Sequence, residues 1–197
     1  MYQKFDQKLK KQVVTISPGE YYATKEGEII MTVLGSCISV CLFDSTAGVA
    51  GMNHFMLVGD FRDEDIFINS SARYGLFAME VLINELIKLG GNKNHFKAKV
   101  FGGGHVLNYK KSNESVPDKN IKFVRTFLNL EKIKIVSEDL GGYQGRKILF
   151  FTDAYKVLLK RLKSTVDPGL IEEEKYQRRL EKTHGSDNLD GRMTLFE

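Results

Sequence analysis

The sequence predicts an α+β protein folded as a single domain, and three observations carry that prediction. Short apolar runs of strand length recur from Ile29 to Leu159. Two longer segments repeat their apolar residues at helical spacing. Glycine pairs and polar runs mark the boundaries between them. A chain of 197 residues is long enough for one well-buried core and too short for two typical domains with a long tail. The chain divides into an amino-terminal arm over residues 1–16, a folded domain over 17–163 and a charged carboxy-terminal extension over 164–197.

The elements follow in order. Residues 1–12 carry Lys4, Lys8, Lys10 and Lys11 and read as a solvated arm, and Ser17-Pro18-Gly19-Glu20 reads as a turn. Ile29–Leu34 is a short apolar strand. Ser39-Val40-Cys41-Leu42-Phe43 is a second, closed by Asp44-Ser45 and a loop through Gly48. Val49–Met52 and His54–Leu57 form another strand, followed by a polar loop from Gly59 to Ser71. From Ala72 to Leu89 the period changes: Leu76, Met79, Ile83, Leu86 and Ile87 mark a helix that Gly90-Gly91 stops.

Lys97–Phe101 is a strand running into Gly102-Gly103-Gly104. A polar loop from Asn108 to Pro117 precedes a second amphipathic helix near Asp118–Leu130, with Asp118 as its cap. Ile133–Val136 is a strand ending at Glu138-Asp139 and Gly141-Gly142. Lys147–Phe151 and Tyr155–Leu159 make a hairpin about Asp153. Pro168 to Lys182 is a charged helix with few apolar anchors (Leu170, Ile171, Leu180), and the segment from His184 is mostly polar until Met193-Thr194-Leu195-Phe196.

Composition excludes several functions. The charge of +4 is small and no basic face interleaved with aromatics is legible, which argues against nucleic-acid binding. No apolar stretch is long enough to span a bilayer and the amino terminus has no apolar signal region, so the expected compartment is the cytoplasm. With Cys37 and Cys41 as the only cysteines there is no disulfide framework, and if their segment is a strand, residues four apart lie ~13 Å apart, beyond disulfide reach. They also lack the ligand count and spacing of a structural zinc site.

The chemistry points to Cys37. Cys41, between Val40 and Leu42, fits a small buried hydrophobe. Cys37 fits that role less well, since Gly35-Ser36 before it is an odd choice in a strand interior. Sulfur attacks carbonyl carbon as thiolate and needs a base, and His54 follows one short strand later. His54 equally suits a core histidine. His95 and His184 read as surface residues, and His105 has no clear demand on it. Gly102-Gly103-Gly104 lacks the downstream Gly-Lys-Ser/Thr of a phosphate loop, so close backbone packing against the Cys37 strand explains it better.

Ordered blocks then tie the chain to a family. Leu34-Gly35-Ser36-Cys37 continues into Val40-Cys41-Leu42-Phe43-Asp44. Gly51-Met52-Asn53-His54-Phe55-Met56-Leu57, Ala72-Arg73-Tyr74-Gly75, Lys99-Val100-Phe101-Gly102-Gly103-Gly104, Asn120-Ile121, Glu138-Asp139-Leu140-Gly141-Gly142 and Arg146-Lys147 follow. Together, from about Gly19 to Arg161, they resemble the CheD family of chemoreceptor glutamine deamidases in bacterial chemotaxis.

The resemblance implies packed mixed β-sheets with the helices outside. It implies hydrolysis of glutamine side chains on the cytoplasmic bundle of chemoreceptors (methyl-accepting chemotaxis proteins) to glutamate. By position it makes Cys37 the nucleophile, His54 the general base and Thr32 a third member that orients the histidine. Some family members have one more residue between that threonine and the Gly-Ser-Cys run, where this chain has only Val33 and Leu34. Gly35 and Ser36 would shape the site, with backbone N–H groups near Ser36-Cys37 stabilising the oxyanion. No metal or organic cofactor is implied. Some members also dock a CheC-type phosphatase, so the alternative expectation is a chemotaxis interaction protein acting mainly by binding. A cysteine peptidase shares the chemistry but needs a groove for main chain.

Overall fold

The computed structural model describes residues 1–57, 70–106, 115–162 and 167–186. In chain order the strands are β1 (Tyr2–Asp6), β2 (Lys11–Thr15), β3 (Tyr21–Thr24), β4 (Ile29–Leu34), β5 (Ile38–Asp44), β6 (Val49–Asn53), β7 (Lys97–Gly102), β8 (Lys134–Leu140), β9 (Arg146–Phe151) and β10 (Lys156–Arg161). The helices are α1 (Ser70–Lys88), α2 (Val116–Leu130) and α3 (Pro168–Ser186). The expected loops over 59–71 and 108–117 and the apolar end at 193–196 fall largely or wholly outside the described residues.

The strands form two five-stranded mixed sheets, ordered β1-β2-β4-β9-β10 and β3-β6-β5-β7-β8. Pairing is antiparallel except for β2 with β4 and β7 with β8. β5 is buried along its whole length because both of its faces are covered. Ile38, Val40 and Leu42 face α1 and α2, packing with Met79, Leu82, Leu86, Phe123 and Phe127. Cys41 and Phe43 face the other sheet, packing with Ile30, Leu34, Ile148 and Phe150. The layers are therefore helices, sheet, sheet, which fits the packed-sheet α+β expectation.

The departures from the sequence expectation have physical causes. The amino-terminal segment is no free arm: β1 pairs with β2 on the edge of its sheet. β1 is almost wholly exposed, so it has no buried face to leave an apolar alternation in the sequence. α2 begins at Val116, and its cap is Ser115 rather than Asp118; the Ser115 hydroxyl accepts from the Asp118 N–H. β8 runs on to Leu140, because parallel pairing with β7 carries Glu138 and Asp139 into the strand. On α1, Leu82 joins the buried stripe while Ile87 is exposed. Among the described residues no helix is long and apolar enough to cross a membrane.

Candidate active site

Cys37 sits where the chain crosses from one sheet to the other. β4 ends at Leu34, β5 begins at Ile38, and Gly35-Ser36-Cys37 is the bend between them. All three carbonyls of the bend are held from behind. The Gly104 N–H donates to Gly35 O at 2.6 Å, Asn120 Nδ2 to Ser36 O at 3.1 Å and the Gly103 N–H to Cys37 O at 2.7 Å. With the carbonyls tied on one side, three successive N–H groups turn to the other, which is how a chain builds an anion-binding concavity. Gly102 allows the approach: its φ is +116°, and a Cβ there would lie 2.0 Å from Cys37 O.

His54 comes in just past β6. Its N–H donates to Glu20 O at 2.9 Å and its carbonyl accepts from the Gly19 N–H at 2.7 Å, so the Ser17–Glu20 turn clamps its backbone. Thr32, on β4, places Oγ1 2.8 Å from His54 Nδ1. The same hydroxyl donates to Ile16 O at 2.8 Å. A hydroxyl has a single proton, and here it is given to a carbonyl. The Thr32 oxygen therefore accepts from the ring, Nδ1 carries the hydrogen, and Nε2 of the neutral ring is a bare lone pair. Nε2 is buried without a hydrogen-bond partner. Thr32 reaches the ring without a bulge, since β4 pairs with β9 in unbroken register from Ile29↔Phe151 to Leu34↔Arg146.

The N–H groups of the bend converge on an unexpected group, the carboxylate of Glu173 on α3. Its Oε1 accepts from the Ser36 N–H, from the Cys37 N–H at 2.9 Å and from Ser36 Oγ at 2.7 Å. Its Oε2 accepts from the Gly35 N–H at 2.6 Å and lies 3.9 Å from His54 Nε2. The Cys37 sulfur, an imidazole nitrogen of His54 and a Glu173 oxygen all lie within 4.8 Å of one another. Such a donor set could hold a divalent metal ion. The ring of N–H donors around the carboxylate, however, is the environment of an anion site.

Burial sets the protonation states. Cys37 and His54 are shut off from solvent, and Glu173 is 1% exposed. Burial, reinforced by the neighbouring Glu173, pushes the Cys37 thiol well above its ordinary range. Burial lowers His54 to about 3, so the ring is neutral. Burial also raises the Glu173 carboxyl, against the opposing pull of the bend's hydrogen bonds. With α3 in place the site holds a thiol, a neutral base and an occupied anion cradle.

Thr32, Gly35, Ser36, Cys37 and His54 are thus brought together. His105 instead lies 3.3 Å from Asp118, and His95 sits at the surface 3.8 Å from Asp44. Cys41 packs between the sheets beside Met52. Two residues of the site were not expected. Asn120, fully buried, accepts from the Leu57 N–H at 2.7 Å while holding Ser36 O, and so ties the segment after His54 to the bend. A polar residue in the apolar stripe with Phe123, Val124 and Phe127 was its signal. Glu173 left a fainter one, as a carboxylate between Leu170 and Gln177 on the buried face of a helix.

Comparisons with known proteins bear on this geometry. A family model described as CheD chemotactic sensory transduction matches residues 56–161, over half of the chain. The chain belongs to the CheD family. Its similarity to individual CheD proteins reaches beyond the matched region. A probable chemoreceptor glutamine deamidase CheD from Janthinobacterium sp. (strain Marseille) is 44% identical over 193 residues, covering 98% of this chain and 93% of that protein. One of the same description from Paraburkholderia xenovorans (strain LB400) is 46% identical over 170 residues, covering 86% and 68%. A third, from Methylobacillus flagellatus, is 43% identical over 194 residues, covering 98% and 93%. The CheD model match begins two residues after His54, whereas the alignments covering 98% of the chain span Thr32, Cys37, His54 and α3.

Proposed function

We propose that the chain is a protein-glutamine deamidase that converts glutamine side chains of chemoreceptors to glutamate, with Cys37 as nucleophile. The observation that carries this reading is the convergence, in one buried space, of the Cys37 thiol, the bare Nε2 of His54 and three N–H groups aimed at a single carboxyl-sized group. His54 Nε2 takes the Cys37 proton as the sulfur attacks the carboxamide carbon. The carbonyl oxygen becomes an oxyanion held by the Ser36 and Cys37 N–H groups, each such donor being worth ~3 kcal/mol in comparable sites. The His54 imidazolium then gives its proton to the departing nitrogen, ammonia leaves and a thioester remains. Water, deprotonated by His54, attacks the thioester; the sulfur departs and recovers the proton, leaving glutamate. Thr32 keeps Nδ1 protonated throughout, so that Nε2 is the working atom.

The space before Cys37 takes one side chain and buries it, which favours side-chain chemistry over peptide cleavage. The family resemblance supports the cytoplasmic bundle of a methyl-accepting chemotaxis protein as substrate, the cytoplasm as compartment and a CheC-type phosphatase as a second partner. The test is to incubate the full chain with a receptor cytoplasmic fragment and follow it by mass spectrometry. Glutamine-to-glutamate conversion in an intact fragment is expected. A cleaved fragment would point to a peptidase, and an unmodified one would overturn the reading.

A further inference from the structure

Cys37 and His54 are buried, and the group held against them is a glutamate, the very side chain that glutamine hydrolysis produces. We propose that α3 occupies the substrate's place within its own chain, with Glu173 posed as the reaction product, so that a substrate segment must displace α3 to reach Cys37. The proposal rests on the deamidase reading above.

The pose matches the reaction atom by atom. Glu173 Oε1, held by the Ser36 and Cys37 N–H groups, stands where the carbonyl oxygen of a substrate would stand. Oε2, 3.9 Å from His54 Nε2, stands where ammonia leaves and water enters. The Gly35 N–H also needs an acceptor, which Oε2 supplies and an amide nitrogen would not. The cradle therefore holds the acid better than the amide, as suits a resident occupant.

The approach is that of a helix presenting one residue. Gly35 makes room for it: a Cβ there would come within 3.0 Å of Glu173 Oε1 and 3.1 Å of Leu170 Cδ2. Leu170, one turn before Glu173, lies against Gly35 and Gly145. Tyr176, three residues after it, covers Gly19 and joins its hydroxyl to that of Tyr74 at 3.0 Å. A competing substrate helix would place its glutamine at the same point, with an apolar side chain three residues earlier. Leu170 is buried and Tyr176 and Leu180 pack against the core while Ile171 is 38% exposed, so Glu173 is, among the described residues, the one carboxylate in an otherwise short apolar contact. A covalently attached occupant acts at high effective concentration even when weakly held.

The deciding experiment turns the occupant into a substrate. In full-length Glu173→Gln, peptide mass spectrometry should find residue 173 converted to glutamate at a rate independent of protein concentration. Gln177, bonded to Glu181 at 2.8 Å one turn away, should stay an amide. Cys37→Ala/Glu173→Gln should keep both glutamines. An amide that persists at position 173 of Glu173→Gln, in a preparation that deamidates a receptor fragment, would overturn the proposal and leave the deamidase reading standing. Failure on both substrates would overturn both. Independently, Glu173→Ala should raise kcat/KM on the receptor fragment and the rate of Cys37 alkylation by iodoacetamide about tenfold or more, because the competent population is no longer a minor one. Unchanged rates would overturn the proposal.

Discussion

Ile16 O, the Thr32 hydroxyl and His54 Nδ1–H form a short relay whose only effect is to leave Nε2 free, and it fixes what substitutions there should do. Thr32→Val keeps the shape but strands the Ile16 carbonyl and the ring N–H, at a cost of about 1–3 kcal/mol in stability. It should also lower kcat by about 10²-fold, the lower end of what a positioned acid–base group contributes. Thr32→Ser, which keeps both bonds, should restore most of the rate. A steady-state comparison of the two variants separates positioning from packing. Burial of His54 has a second consequence. Its folded value of about 3 lies below the ordinary 6.5, so between these the unfolded chain binds more protons and stability falls as pH falls. The slope reaches up to about 1.4 kcal/mol per pH unit. Glu173, raised by burial, works oppositely: its contribution is lost as pH rises through its folded value. Urea unfolding of His54→Gln across this window should show a flatter fall toward acid than the wild type; an unchanged slope would mean that His54 is not buried neutral.

At the scale of elements, the site is the crossing between β4 and β5, and the glycine run that begins at the last residue of β7 is the wall behind it. Gly102→Ala puts a Cβ where Cys37 O now lies and forces a backbone with φ of +116° on an alanine. It should destabilise the fold by about 1–3 kcal/mol or more and displace the bend, so that activity per folded molecule falls too. Thermal unfolding and an activity assay check both. The sequence allowed the glycine run to be read as packing against the Cys37 strand, and β4 was legible to its end residues, because apolar period and glycine punctuation are local signals. β1 and the role of α3 were not legible. A polar edge strand carries no buried face, and the stripe of α3 is interrupted by the buried Glu173 and Gln177. The partners of Glu173 lie up to 138 residues away, beyond any local pattern.

At the scale of the whole molecule, α1 and α2 pack on a continuous core of one sheet, while α3 meets the end of β4 with Leu170 as its one buried apolar residue among the described positions. Stability should therefore be uneven. Hydrogen exchange should be faster in α3 than in α1, whose Met79, Leu82 and Leu86 are fully buried. Glu173→Ala should raise exchange in α3 and leave α1 unchanged; equal protection of the two helices would argue against a releasable α3. The fold also separates the two cysteines, four positions apart in the sequence. Cys37 lies in the bend facing His54, and Cys41 lies between the sheets. The most direct measurement is the rate at which full-length Cys37→Ala and Cys41→Ser convert receptor-fragment glutamine to glutamate. Cys37→Ala should lose about 10⁴-fold or more, as removal of a catalytic nucleophile does, while Cys41→Ser stays near wild type per folded molecule. Full activity in Cys37→Ala would contradict the account.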